Sequence, residues 1–367
     1  MAKSKQIPFH EVVAALLDHG QPFSPGYLHR FSDLEGDDLR DLRNSWNKIE
    51  TTRRLVLLND LEEMADTDTL VDFDQVALIG LTDSDGTVRA QAARMLWENE
   101  DPKLVNILTS MVAQDTSSEA RAAAAATLGK YIYLGELEEL APDLLRKAEE
   151  CLLAAGNTDP DALVQRKSIE ALGFSSRPEV PALIQKAYES RDHEWVSSAL
   201  LAMGRSYDKV WEPDVRRELQ SPYGDVQIEA IRAAGELSLD SSRRILLDLL
   251  EEEGTDSEIR AETIWALSEI GGEQVRDTLE DLLEETDDEE EAELIDEALD
   301  NLTLNEQIET MDLFDIDLEE EARSGHIVDL SLLDGTEGED GGLESGEETD
   351  TDNAPSLPKS RRRHKKS

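Results

Sequence analysis

Two dipeptides set an imidazole beside a carboxylate: His10–Glu11 and His193–Glu194. A neutral ring nitrogen and a carboxylate oxygen are both good transition-metal ligands, so repeated pairs of this kind could build a metal centre. "DSDG" (83–86) has the look of a calcium loop. Such a loop needs a further acid two residues earlier, where Leu81 stands, and a Glu six residues after the glycine, where Ala92 stands, so a helix N-cap turn is the better reading. Cys151 is the sole cysteine, which excludes an internal disulfide framework and a Cys-based zinc site. No His is near it in sequence, and a buried helical thiol is expected in place of a nucleophile. No phosphate-cradling glycine loop, nucleophile elbow or HExxH pair is present. The expectation is a protein that is not an enzyme and uses no cofactor.

Binding chemistry is better represented. Arg216–Arg217 and Arg243–Arg244 are local basic pairs, read as solvated helix faces. In "ETMDLFDIDLEEE" (309–321), Leu313, Phe314, Ile316 and Leu318 alternate with acids, which suits a short partner-binding motif or a fold-back cap on the preceding helices. A second apolar set follows in "HIVDLSLLDG". The chain closes with "KSRRRHKKS", in which Lys359, Arg361, Arg362, Arg363, Lys365 and Lys366 form a candidate site for RNA or another polyanion.

The elements that must carry these residues repeat. "DGTVRAQAARML" (85–96) has relatives along the chain, anchored at Val88, Ala120, Val164, Trp195, Val226 and Ile259. Four residues after each anchor stands a small residue or Thr: Ala92, Ala124, Ser168, Ala199, Ala230 and Thr263. Nine residues after come Trp97, Gly129, Gly173, Gly204, Gly235 and Ser268, and glycine there is read as a left-handed helix stop. "TSSE" (116–119) and "TDSE" (255–258) read as capping boxes opened by Thr. Arg89 and Arg260 follow Asp85 and Asp256 at i,i+4, a structural ladder along the stack. A second periodic segment follows each stop, so the unit is helix–turn–helix. About a dozen extra residues between Ala120 and Val164 predict a lengthened second helix.

These segments resemble HEAT repeats of the short, phycobilisome-lyase-like type. The resemblance covers residues 82–286 well and extends more weakly to 52–66 and 290–302. It implies an α-solenoid and leaves function open, because members range from scaffolds to a few enzymes. The deoxyhypusine hydroxylases of this type hold two irons with four His–Glu pairs, and this chain has two. The phycobilin lyases and isomerases share the repeat, but nothing here transfers as a catalytic residue. The HEAT-like DNA glycosylases use a basic groove, at odds with this chain's charge.

The net charge is −48. Residues 280–352 carry 31 acids against Arg323 alone, whereas 359–367 carry six bases and no acid. Aromatics are only 5%, so the core must rely on Leu, Ala, Ile and Val. The expected fold is all-α: an N-terminal helical cap (1–51), a solenoid (52–304), an acidic, mostly disordered segment (305–358) and a basic tail (359–367). Leu39, Leu42, Trp46 and Ile49 share one stripe of the cap. No stretch approaches the roughly 18 apolar residues of a membrane span. The lysine-bearing N-terminus has no secretory cleavage pattern. A cytoplasmic, monomeric scaffold or adaptor is expected, its second helices lining the concave face for a protein partner with a basic surface. The alternative is a nucleic-acid- or ribosome-associated protein tethered by the basic end.

Overall fold

A computed structural model describes residues 7–252 and 254–324, with side chains as far as 308. The chain divides into two compact units, Met1–Thr310 and Met311–Ser367. Among the described residues there are seventeen α-helices, a few short 3-10 turns and no strand. No described helix is long and apolar enough to cross a membrane.

The cap consists of α1 (Phe9–Leu17) and α2 (Gly36–Ser45), with a 3-10 turn over Pro25–Phe31 between them. Eight pairs or half-pairs follow. Their first helices are α3 (Thr51–Thr67), α5 (Gly86–Met95), α7 (Ser118–Glu136), α9 (Ala162–Leu172), α11 (His193–Arg205), α13 (Gly224–Glu236), α15 (Ser257–Ile270) and α17 (Glu289–Ser324). Their second helices are α4 (Asp74–Gly80), α6 (Lys103–Gln114), α8 (Pro142–Thr158), α10 (Val180–Tyr188), α12 (Glu212–Glu218), α14 (Arg243–Glu251) and α16 (Val275–Glu285). The extra residues between Ala120 and Val164 lengthen both helices of that pair, α7 as well as α8.

The anchors share one register. Asp85, Ser117, Asp161, Asp192 and Asp256 each stand three residues before an anchor and accept a first-turn backbone N–H. Each such cap contributes about 1 kcal/mol. The caps near 117 and 256 are therefore Ser117 and Asp256, one residue later than the capping boxes read from Thr116 and Thr255. An Asp oxygen satisfies the N2 N–H without help from a Glu reaching back.

The arginine ladder runs between repeats, not within one. Asp85 is occupied as a cap, and Arg89 forks across to Asp115, with Nε 2.7 Å from Oδ2 and Nη2 2.6 Å from Oδ1. Arg121 does the same to Asp159, at 2.8 and 2.9 Å. Arg54 meets Asp83 at 3.0 Å with both side chains buried. Each of these Asp residues also accepts the backbone N–H two residues on: Asp85, Ser117 and Asp161. The remaining Nη1 of Arg89 and of Arg121 donates to the main-chain carbonyl of Asp83 and Asp115. Gln165 and Gln227 reach the carbonyls of Asp159 and Leu219 in the same way. Burial opposes ionisation of Asp115, yet the Arg89 fork and the Ser117 N–H hold its carboxyl below the usual range.

The glycines nine residues after the anchors are not left-handed helix stops, although Gly173 does follow the last residue of α9. Gly129, Gly204 and Gly235 lie inside helices, and Gly173 keeps a right-handed φ of −51°. They are there for proximity: a Cβ on Gly129, Gly173, Gly204 or Gly235 would sit 3.3, 2.8, 3.0 or 2.9 Å from the Cα of Ala171, Ala202, Ala233 or Ala266. Successive first helices thus touch at backbone distance. The left-handed residues that do follow helices include Glu138, Tyr207, Ser238 and Gly271.

Both ends of the stack are closed. At the start, Arg53 Nη1 donates to the carbonyls of Ala15, Leu16 and Asp18, capping the C-terminus of α1. Trp46 Nε1 donates to Asp83 at 2.6 Å, tying the cap to the first Arg–Asp pair. At the other end, Ile295, Ala298 and Leu302 of α17 are fully buried. The positions that continue the stack elsewhere, such as Ala90 and Ala93 or Ala122 and Ala125, are filled in α17 by exposed Glu293 and Asp296. α17 continues to Ser324, past the boundary at 304 drawn from the sequence.

Gly173→Ala should lower stability by about 1–3 kcal/mol in a urea melt, because the added methyl has backbone atoms of Ala202 in its way. Gly224→Ala, where nothing lies within 4 Å, should be neutral or stabilising by up to ~1 kcal/mol. Equal effects at the two sites would contradict packing as the reason for glycine.

Candidate interaction surface

The residues with metal-binding character serve the fold. His10 and Glu11 are exposed on α1. His193 and Glu194 open α11 and bridge to neighbouring helices, with Nδ1 of His193 2.7 Å from Asp225 and Glu194 2.8 Å from Arg166. Among the described residues no group of three or more His, Cys, Asp or Glu side chains could hold a metal ion. Asp83 of "DSDG" is consumed by Trp46, Arg54 and the Asp85 N–H. Cys151 is half-buried 3.5 Å from the carbonyl of Thr109, and burial pushes its thiol up. Of the arginine pairs, Arg217 is held by Asp214, and Arg243 by Asp240 and the Gly271 carbonyl, whereas Arg216 and Arg244 are exposed.

Separate buried or half-buried polar contacts join neighbouring first helices. Gln91 donates to Glu62, Ser198 to Glu170 at 2.7 Å, and Arg232 bridges Glu229 and Glu262. Burial pushes the Glu229 carboxyl up. Against its own burial, Arg232 is held charged by those two acids. The second-helix row is looser: α10, α12, α14 and α16 make few contacts with one another, while neighbouring first helices pack extensively.

The second helices present two surfaces. Toward the end of the stack they are acidic, with Asp248 and Glu251 of α14 and Asp277, Glu280, Asp281, Glu284 and Glu285 of α16 exposed or half-buried. Leu247, Leu249, Leu282 and Leu283 lie half-buried beside them. Earlier, an open groove of about 760 Å³ runs between α10, α12 and the first turns of α11 and α13. Tyr188 Oη donates to Glu218 at 2.7 Å and accepts from Arg217 at 3.1 Å, and Arg217 lies 5.9 Å from the Tyr188 ring centre. Burial and Glu218 push the Tyr188 phenol up. Across the groove, the His193 ring stacks on exposed Tyr223 at 5.5 Å and 13°. Nothing in the sequence pointed to this site, because Tyr188 and Tyr223 stand on segments that only the stacking brings together.

Leu313, Phe314, Ile316 and Leu318 fall within the helical span of α17 but outside the residues whose side chains are described. Lys359, Arg361, Arg362, Arg363, Lys365 and Lys366 lie outside the described residues.

The family profile for HEAT repeats matches residues 75–150 and 212–300. These two regions carry HEAT repeats. Among solved structures, the repeats are similar to YibA of Escherichia coli at 20% identity, covering 78% of this chain and 98% of that one with a TM-score of 0.42. The complex of CpcE and CpcF of phycocyanin lyase from Nostoc sp. PCC7120 is also 20% identical, over 62% of this chain and 94% of that one, with a TM-score of 0.43. Human deoxyhypusine hydroxylase is 16% identical over 71% and 95%, with a TM-score of 0.32. No curated protein matches the chain.

The hydrogen bond to Asp225 raises the pKa of His193 above its ordinary value. A raised folded-state value means that the His193–Asp225 link stabilises fully below the unfolded pKa and is lost as pH rises through the folded one. An NMR titration should place His193 above the ordinary histidine range, and Asp225→Asn should bring it back. A wild-type value unmoved by that substitution would remove Asp225 as the cause.

Proposed function

We propose that this chain is a non-enzymatic scaffold or adaptor that binds a protein partner with a basic surface. The carboxylates of α14 and α16, bordered by half-buried leucines, carry this reading. Clustered carboxylates on two neighbouring helices attract a basic surface and speed encounter, and apolar contact at the leucines supplies more of the residence time. A monomer acting in the cytoplasm suits this role. The run Lys359–Lys366 supports a second reading, in which the chain is tethered to RNA; loss of salt-dependent RNA binding on removing residues 359–367 would favour it.

Crosslinking in lysate followed by mass spectrometry should place partner crosslinks on α14 and α16. With the partner purified, the triple change Asp281→Asn, Glu284→Gln, Glu285→Gln should slow association about three- to tenfold at low salt and much less at high salt. An unchanged association rate, or crosslinks confined to other helices, would refute the acidic surface as the docking face.

A further inference from the structure

The groove between α10 and α12 carries groups beyond those that tie its two repeats together. Its walls combine three features. The Tyr223 ring is exposed on one wall, with only one face taken by His193. Val196 and Val226, both buried, add apolar surface to the groove lining. Two carboxylates on the rim are held by neutral donors: Glu189 by Gln185 at 2.9 Å and Glu218 by the Tyr188 hydroxyl at 2.7 Å. Their negative charges are therefore not offset within those contacts.

We propose that this groove receives an arginine side chain from the partner protein. The proposal rests on the basic-partner reading above and assigns it a pocket. An arginine stem would lie beside Val196 and Val226, its guanidinium plane against the free face of Tyr223 and its fork on Glu189 or Glu218. Guanidinium suits this mixture better than ammonium, because it stacks on aromatic rings and forks to carboxylates. The groove already contains the same arrangement built from its own residues: Arg217 lies over Tyr188 and is held by Asp214. Arg191 also lines the groove, a like charge that the acids Glu189 and Glu218 must outweigh for an incoming arginine.

The test uses the full chain and a fluorescein-labelled peptide of alternating glycine and arginine, with lysine and citrulline versions as controls. At about 50 mM salt the arginine peptide should bind, the lysine peptide several-fold more weakly and the citrulline peptide not measurably. Tyr223→Ala, and the double change Glu189→Gln with Glu218→Gln, should each weaken binding about tenfold. The Glu218→Gln change keeps an acceptor for Tyr188, and an unchanged melting curve would show that the fold is intact. Asp281→Asn with Glu284→Gln should change affinity less than twofold. If the arginine peptide binds equally to wild type and groove variants, or weakens only with the α16 variants, the groove proposal is overturned and the basic-partner reading stands. If arginine and citrulline peptides bind alike, the groove proposal is also overturned. If no basic peptide binds the wild-type chain at low salt, both fall.

Discussion

Backbone-to-backbone contact between successive first helices is the constraint on which the rest of this structure depends. Gly129 against Ala171, and Gly173 against Ala202, leave no side-chain layer to absorb a misfit. Close-packed interiors already resist small changes of volume. Here the tolerance falls below one methyl group, because the opposing surface is main chain. That distance obliges the neighbouring positions to be small, and Ala90, Ala93, Ala122 and Ala125 are small and buried.

Distance alone would let one helix slide along the next, and the Arg–Asp forks remove that freedom. Arg89 ties its own helix to the carboxylate that also orders the next helix entry through Ser117. One side chain therefore fixes both where the following helix begins and how far along it lies. The pairs are largely shielded from water, so losing one partner would leave an uncompensated charge, which costs more than the pair contributes. Specific register is the gain. In later repeats Gln165 and Gln227 keep the carbonyl contact without the carboxylate, and the separate pairs Ser198–Glu170 and Arg232–Glu262 join neighbouring helices of the same row.

Much of this was legible in the sequence, and what was not shares a physical cause. The anchors revealed the repeat and the all-α fold, because an anchor with a small residue or Thr four positions on recurs as a local signal, whereas the caps lie one residue later than the Thr that the sequence offered. The glycines were visible but their purpose was not: nine residues from an anchor is one helix length, so a stop and a close approach look alike. The same holds for Arg89, whose neighbour in sequence is Asp85 and whose partner in space is Asp115. The groove was invisible, since Tyr188, Arg217 and Tyr223 become neighbours only after two repeats have stacked.

The charged outer side of α17 bears on how such an array can change over evolutionary time. An internal unit presents a compatible surface on each side, so a duplicated copy inserted between two others meets familiar neighbours. A unit appended beyond α17 would meet Glu293 and Asp296, whose carboxylates would lose their water on contact. Extension past α17 would therefore require Glu293 and Asp296 to be replaced first, whereas insertion between two internal units would not.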